Sequence, residues 1–517
     1  MNRNVATAVV SILGSRMLAL GVMAVTTPIL VQLLDPAAYG IYGTLMAVFG
    51  LLMILVSSGI NSGTRKYLSE EREMPNWRDH VFGYYFRLAA LLAAVAAGGL
   101  VLASWSGVIA RSLGEEYTTY FYLLAVLAVA AQFRSYARRA LMGLKLEHVA
   151  EPLKVLNSVA FGTLAIGGVV LGYGIRGVLA GHILASTLVT VVALFIIARH
   201  VSLRAVFSRT PSGFPTRKLL DFNSLTIVAI FLLVSLQHVD VLILELYRGQ
   251  EKVGYYRAAL VLTQLLWLVP RSIQSVMIQS TSNLWEDNRI EHITELASRA
   301  SRYTLLFTLL LAVGLATLAH QFVPIYYGEA FRPAVIPVLL LLPGTVGFSL
   351  ARPMFAISQA KGDLKVLIAA TGATALINLG LNLVLIPTYG MVGAAVATSV
   401  GYGLLPVFHV AAARRLGYRP FADLRPGRVA ATALGTAIPI VALSRLIGDP
   451  LLALVVVPPV GGAIYAVLTL LTGAMRFEEL YELGTAMPGP VERRVESLRG
   501  YIEDADGVVD RLRTAQN

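Results

Sequence analysis

Long apolar runs alternate with short polar gaps along almost the whole chain. A helix needs about 20 apolar residues to cross the hydrocarbon core of a bilayer. Against that length the pattern predicts fourteen spans, at 5–34, 39–64, 81–108, 117–133, 155–172, 177–198, 220–246, 253–283, 303–322, 333–351, 366–386, 390–413, 429–445 and 450–473. The first run starts after Met1 to Asn4 and continues past Leu30. That exceeds the ~7–15-residue core of a cleaved signal, so it reads as the first spanning helix. The fourth and fifth spans have the least sharp borders, because Arg134, Arg138 and Arg139 follow closely on an apolar stretch.

The polar gaps test this count. With the N-terminus cytoplasmic, the inner loops hold Arg65, Lys66, Arg72 and Arg78, then Arg134, Arg138, Arg139, Lys145 and Lys154, then Arg199, Arg204, Arg209, Arg217 and Lys218. Later inner loops hold Arg289, Arg299 and Arg302, then Arg352, Lys361 and Lys365, then Arg414, Arg415, Arg419, Arg425 and Arg428. The outer loops hold only Arg111, Arg176, Arg248, Lys252, Arg332 and Arg445. Basic residues stay on the cytoplasmic side, so the expectation is a multi-pass protein of the cell (plasma) membrane with both termini cytoplasmic. After Gly473 the chain turns polar, and Val491, Val495, Leu498, Tyr501 and Ile502 recur at helical spacing. That predicts a cytoplasmic amphipathic helix lying on the membrane or protein surface, with a plain solubilising tail as the alternative.

A duplication lies over this array. Tyr39-Gly40-Ile41-Tyr42 recurs as Val253-Gly254-Tyr255-Tyr256, and Leu113-Gly114-Glu115-Glu116 as Tyr327-Gly328-Glu329-Ala330. Lys145 recurs as Lys361, and Tyr173-Gly174-Ile175-Arg176-Gly177 as Tyr389-Gly390-Met391-Val392-Gly393. One nearly constant offset, in order, marks two copies of a single unit. Six crossings is an even number, so the copies run parallel and relate by an axis along the membrane normal. The expected fold is an all-α polytopic membrane protein with fourteen transmembrane helices: two parallel six-helix lobes related by a pseudo-two-fold axis, plus two extra helices. The expected segments are an N-terminal lobe (1–200), a cytoplasmic linker (201–219), a C-terminal lobe (220–415), the two additional helices (416–475) and the cytoplasmic tail (476–517). Helices six and twelve carry small residues, Gly177, Ala180 and Gly181 against Gly393, Ala394, Ala397 and Gly401, which suit close helix packing in lipid.

Composition narrows the chemistry. Of 517 residues, 56% are hydrophobic and 14% charged, against roughly 25% charged in soluble domains. The absence of cysteine excludes disulfides, iron–sulfur clusters and thiol catalysis. The net charge of +12 is explained by the inner loops, and no nucleic-acid partner is expected. There is no phosphate-binding loop and no Gly-Lys dipeptide, so no built-in ATPase is expected. The eight histidines lack ligand-like spacing, so neither a metal nor another cofactor is expected.

Ionisable residues inside a span are costly and mark candidate sites. Arg16 lies near mid-depth of helix one, and Arg271 follows Pro270 in helix eight, where a proline lets the helix bend beside a cavity. A guanidinium stays charged and binds phosphate through two parallel bonds. Arg16 and Arg271 are therefore the candidate cavity cations for an anionic lipid headgroup, with a structural pairing as the alternative. Arg87 and Arg257, near helix ends, are weaker candidates because both can snorkel, and His238 is a weaker candidate too. Asp240, deep in helix seven, is the candidate for ion coupling through Na⁺ or a proton.

The chain resembles the polysaccharide/oligosaccharide-lipid flippases of the multidrug/oligosaccharidyl-lipid/polysaccharide exporter superfamily. Leu34-Asp35-Pro36-Ala37-Ala38-Tyr39-Gly40-Ile41-Tyr42 is similar to that family's first-loop signature, with Val253-Gly254-Tyr255-Tyr256 as its counterpart. Tyr326-Tyr327-Gly328-Glu329-Ala330-Phe331 and Thr388-Tyr389-Gly390-Met391-Val392-Gly393-Ala394-Ala395 are similar as well, and the resemblance covers roughly residues 5 to 475. It implies two lobes around a cationic cavity that opens alternately to each side. The implied substrate is a polyprenyl phosphate- or pyrophosphate-linked oligosaccharide, carried outward for surface polysaccharide or glycoprotein glycan assembly. The implied partners are that glycan, membrane lipids, and glycosyltransferases or a polymerase of the same pathway. The energy source would be the membrane potential or an ion gradient. Related peptidoglycan-precursor flippases have cavity arginines on helices one and eight, where Arg16 and Arg271 stand; their further cavity arginines on helices one and two have no mid-depth match here. That thinner charge fits a single phosphate or a less anionic glycan better than lipid II. The rival readings are a cation-coupled small-molecule exporter of the same superfamily, a membrane enzyme of glycan assembly, and a lipid scramblase or scaffold.

Overall fold

The computed structural model describes residues 3–70, 72–221 and 224–485, with side chains described for Leu18 to Glu482 apart from 218, 220, 221, 224 and 226. The expected helix around 491–513 lies outside the described residues. Among the described residues there is no strand. The helices are α1 (Arg3–Leu33), α2 (Pro36–Ser69), α3 (Trp77–Trp105), α4 (Val108–Leu113), α5 (Glu115–Gly143), α6 (Glu147–Gly168) and α7 (Gly174–Ile197). There follow α8 (Thr216–Asp221), α9 (Ser224–Arg248), α10 (Gln250–Leu265), α11 (Leu268–Glu286) and α12 (Ile290–Tyr327). The last are α13 (Val335–Lys361), α14 (Leu364–Leu416), α15 (Pro426–Leu446), α16 (Pro450–Leu471) and α17 (Phe477–Thr485).

Ten described helical runs are long and apolar enough to cross a membrane, or eleven if α10 and α11 count as one broken span. Two of the ten, Glu147–Ile197 and Leu364–Leu416, are 51 and 53 residues long, more than twice the ~20 that one crossing needs. Each is broken at a glycine. Gly174 has φ 49°, ψ −131° and Gly390 has φ 59°, ψ −132°, a backbone shape that side-chain-bearing residues rarely adopt. The two glycines are counterparts in the duplication, so the repeat extends to backbone conformation. Other turns repeat likewise: Gly114 and Gly328 have φ 118° and 93°, and Asn76 and Asn288 both have φ 54°. Near Lys145 the match slips by one, since Lys145 itself has φ 63° while the second copy uses Gly362, the residue after Lys361.

Several borders differ from the apolar pattern. The fourth span extends through Gly143, so Arg134, Arg138 and Arg139 lie inside α5 and not in a loop. Arg299 and Arg302 likewise lie inside α12. Helices continue past the apolar stretch because backbone hydrogen bonding does not require apolar side chains, and here the arginines find polar neighbours. The eighth span breaks at Leu266 and Trp267, whose N–H groups bond to Thr263 and Gln264 at 3.2 and 3.1 Å. Pro270 sits in the first turn of α11, where its missing N–H costs little.

The described chain forms two compact units that do not coincide with its halves. One comprises 3–262, 323–344 and 362–412; the other comprises 263–322, 345–361 and 413–485. The first has a core of Tyr67, Trp77, Phe82, Tyr85, Tyr136 and Val189, extended by Phe214 from the linker. Trp77 donates to the Tyr67 carbonyl at 2.9 Å, and Tyr136 to that of Phe82 at 2.6 Å, so these rings are fixed in orientation as well as buried. In the second unit α15 and α16 pack as a pair against α12, with Tyr465 donating to the Leu306 carbonyl at 2.8 Å. Arg302 is fully buried there and pairs with Asp423 at 2.5 Å and with Glu479 of α17. Arg425 pairs with Asp423 at 2.7 Å. That cluster ties the basic end of α12 to the extra helices and to α17.

Candidate functional site

The two copies of the Tyr-Gly motif pack on each other within the first unit. A Cβ on Gly40 would fall 1.7 Å from the Gln250 carbonyl oxygen, and one on Gly254 would fall 1.9 Å from that of Pro36. The contact is reciprocal: the start of each motif meets the glycine of the other. Only hydrogen fits on either side.

The last tyrosine of each motif reaches a polar residue in its own copy. Tyr42 Oη and His182 Nε2 are 2.9 Å apart, and Tyr256 Oη and Thr398 Oγ1 are 3.1 Å apart. His182 and Thr398 stand at the same distance past Gly174 and Gly390. The frames match, and their contents differ. In the first copy His182 stacks on Phe161 at 3.7 Å. In the second, Tyr256 and Thr398 both donate to Asp240 Oδ2, at 2.5 and 2.8 Å. Oδ1 accepts the Val241 N–H at 2.8 Å. Asn378 donates to the Ala397 carbonyl at 3.2 Å, Asn382 donates to Asn378 at 3.1 Å, and Asn382 Oδ1 is buried without a donor. At the offset of the repeat, Thr26 and Gly162 replace Asp240 and Asn378. There a Cβ on Gly162 would come within 2.5 Å of Thr26 Oγ1, so that copy has closed the space.

Asp240 is 1% exposed and has no ion-pair partner among the described residues. Arg257 and His238 lie around it. Arg257 is within electrostatic reach of both. Its stem lies against Gly43, where a Cβ would sit 3.1 Å from Arg257 Cγ, and its Nη1 is buried with no hydrogen-bond partner. Arg257 therefore points into the protein and does not snorkel. His238 faces Gly50 of α2, with a Cβ there 2.8 Å from Nε2, and its Nδ1 is buried and unpartnered. One turn and a half beyond Asp240, Glu245 accepts from Tyr117 at 2.7 Å and from Thr44 at 3.2 Å.

The remaining candidates lie elsewhere. Arg87 donates Nη1 to the carbonyls of Ala205, Val206 and Ser208 at 3.1, 3.0 and 2.7 Å, the role of a linker clamp. Arg271, in the second unit, is exposed and lies over the Trp267 ring at 5.2 Å. Trp267 stacks on Phe348 at 4.1 Å, and Arg352 covers Phe348 at 4.2 Å, so two guanidiniums flank one aromatic pair. The backbone of Arg16 lies on α1, and its side chain is outside the described residues. Charge alone had singled out Asp240, Arg257 and Arg271. It missed Tyr256, Thr398 and Asn378, which are neutral; the duplication was the signal that leads to Tyr256.

A model of the polysaccharide biosynthesis protein family matches residues 29–336. The probable low-salt glycan biosynthesis flippase Agl15 of Haloferax volcanii is 24% identical over 384 residues, 73% of this chain and 76% of that protein. An uncharacterized membrane protein of Methanocaldococcus jannaschii, MJ1068, is 23% identical over 48% of this chain and 49% of its own length. Among solved structures, the lipid II flippase MurJ in an inward closed conformation matches with TM-score 0.66 and 15% identity, over 90% of this chain and 98% of its own. An inward-facing multidrug resistance MATE family transporter matches with TM-score 0.67 and 17% identity, over 76% and 94%. These two likenesses establish a shared fold.

Proposed function

Because the chain belongs to the polysaccharide biosynthesis protein family, we propose that it is a flippase for polyprenyl phosphate- or pyrophosphate-linked oligosaccharide. It moves the headgroup from the cytoplasmic to the outer leaflet by alternating access, for surface polysaccharide or glycoprotein glycan assembly. The observation that carries this reading is Arg257, a cation inside a span with a buried, unpartnered Nη1. A charge held at that cost needs an anion to meet. Arg271 and Arg16 are proposed to supply further charge from helices eight and one. A glycan headgroup cannot cross hydrocarbon unaided, because each hydroxyl would lose its water. A wet cavity replaces that water while the polyprenyl chain stays in apolar surroundings. One apolar cavity of about 390 Å³ suits such a chain, lined by Leu310, Gly314 and Leu318 of α12 with Ile440, Val457 and Gly461 of α15 and α16.

No cofactor is invoked. An inside-negative membrane potential favours outward movement of negative charge by about 2.3 kcal/mol per charge per 100 mV. Asp240, which accepts from two hydroxyls and a backbone N–H and has no ion-pair partner among the described residues, is the proposed site of ion coupling. That arrangement also suits the second reading, a cation-coupled small-molecule exporter. The plasma membrane and cytoplasmic termini belong to this proposal, as do glycosyltransferases or a polymerase as partners. The test is loss of the gene followed by leaflet-specific labelling of lipid-linked glycan. Accumulation on the inner leaflet, with chain length unchanged, is expected. Normal leaflet distribution would overturn the flippase reading, and altered glycan length would indicate an enzyme.

A further inference from the structure

The arginines inside α5 form a second group of cations, and Arg134 lies within electrostatic reach of His182 in the first-copy bridge. Arg134 Nε donates to Ser186 Oγ of α7 at 3.1 Å, its one hydrogen bond among the described residues, and no carboxylate pairs with it. Arg138, one turn on and on the same stripe, pairs with Glu151 of α6 at 3.1 Å. Arg138 Nε and Glu151 Oε2 are left buried and unpartnered. Arg139 donates only to Met142 Sδ among the described residues, at 3.8 Å, and lies within electrostatic reach of Arg138, Glu151 and Arg65 of α2. Glu151 is the one carboxylate that meets Arg138 or Arg139 among the described residues, and both lie in one compact unit. Arg134, Arg138 and Arg139 each keep part of their surface exposed.

Arginines at the end of a span ordinarily snorkel outward to water. Arg134 and Arg138 instead turn toward α7 and α6. Like charges crowded in a poorly solvated place are costly unless an anion joins them. A phosphate fits, since each guanidinium offers it two parallel donors. We infer that Arg134, Arg138 and Arg139 form a phosphate site at the basic end of α5, where the phosphate of a lipid-borne substrate rests before transport. This rests on the flippase reading and adds a loading position that is separate from Arg16, Arg257 and Arg271.

The test uses the full-length protein in phosphatidylcholine nanodiscs, with polyprenyl monophosphate, phosphatidic acid and inorganic phosphate as separate probes. The double variant Arg134→Gln, Arg139→Gln leaves the Arg138–Glu151 pair in place. It should weaken polyprenyl monophosphate binding by about 10-fold or more, the loss of one or two charge-assisted bonds. Glu151→Gln frees Arg138 while keeping the side chain's shape, and should tighten binding several-fold. It also decides the matter if the double variant does not fold. Unchanged binding in both variants overturns the site. Equal losses for phosphatidic acid would show a general anionic-lipid site and overturn the substrate assignment, and inorganic phosphate competing at equal affinity would do the same. The two readings fail separately. Normal flipping with unaltered binding in the variants sinks the site and leaves the flippase; binding at the site without any flipping does the reverse.

Discussion

Asp240 shows how hydrogen bonds hold a buried carboxylate that has no direct ion pair among the described residues. Three donors converge on it, two hydroxyls and one backbone N–H, and hydrogen bonds to a charged group contribute about 1.5–3 kcal/mol each. Tyr256→Phe removes one donor and should lower unfolding stability by about 1–3 kcal/mol in detergent. Tyr42→Phe, which breaks a contact with a neutral-capable His182, should cost less. An equal effect of the two would mean that the carboxylate is not the focus of the network. If Asp240 couples transport to an ion, Asp240→Asn will still bind lipid-linked glycan, and flipping in proteoliposomes will no longer respond to the ion gradient. A normal response to the gradient rules this residue out.

At the scale of elements, two contacts decide how helices meet. The reciprocal glycine contact brings the start of α2 against the start of α10 with no room for a methyl group on either side. Gly40→Ala and Gly254→Ala should each force this contact apart. The chain has no cysteine, so a single Ala37→Cys can report it: maleimide labelling should run several-fold faster in either alanine background, and an unchanged rate would show that the contact is not held by the glycines. The second contact is the ion cluster of Arg302, Asp423, Arg425 and Glu479. Burial alone would raise the Asp423 carboxyl, but the hydrogen bond from Arg425 and the Arg302 and Arg425 charges outweigh it and hold the group below its ordinary range. Its contribution to stability is therefore present above the ordinary carboxylate pKa and is lost as pH falls through the lowered value. In thermal unfolding scans, Asp423→Asn should melt well below the wild type at pH 7, and the gap should shrink as pH drops toward 3. A gap independent of pH would place the effect in packing.

For the molecule as a whole, duplication is the organising fact, and its two copies have diverged. Both build a tyrosine bridge between corresponding helices, with His182 in one and Thr398 in the other. In one copy the space beside the bridge is closed by Gly162 against Thr26; in the other it holds Asp240, which accepts from two hydroxyls and a backbone N–H. A pair of similar frames allows two related states of one molecule, and different contents allow one frame to take an ion while the other does not.

Much of this was written in the chain's periodicities. Apolar runs near bilayer length require helices, because hydrocarbon offers backbone groups no other partner. The recurrence of Gly174 as Gly390 gave the duplication, since a positive φ is cheap only at glycine and the turn must be repeated. Intramembrane charge made Asp240, Arg257 and Arg271 candidates for the same energetic reason. What the sequence could not hold was direction. Whether Arg257 snorkels or turns inward against Gly43 depends on the neighbouring helix, as does whether Arg87 meets a ligand or three carbonyls. Arg134 looked like a loop residue because hydropathy ends before the helix does. Only the packing of α5 against α6 and α7 turned its charge into the protein, for a side chain's partner is set by what lies across from it in space and not by its neighbours along the chain.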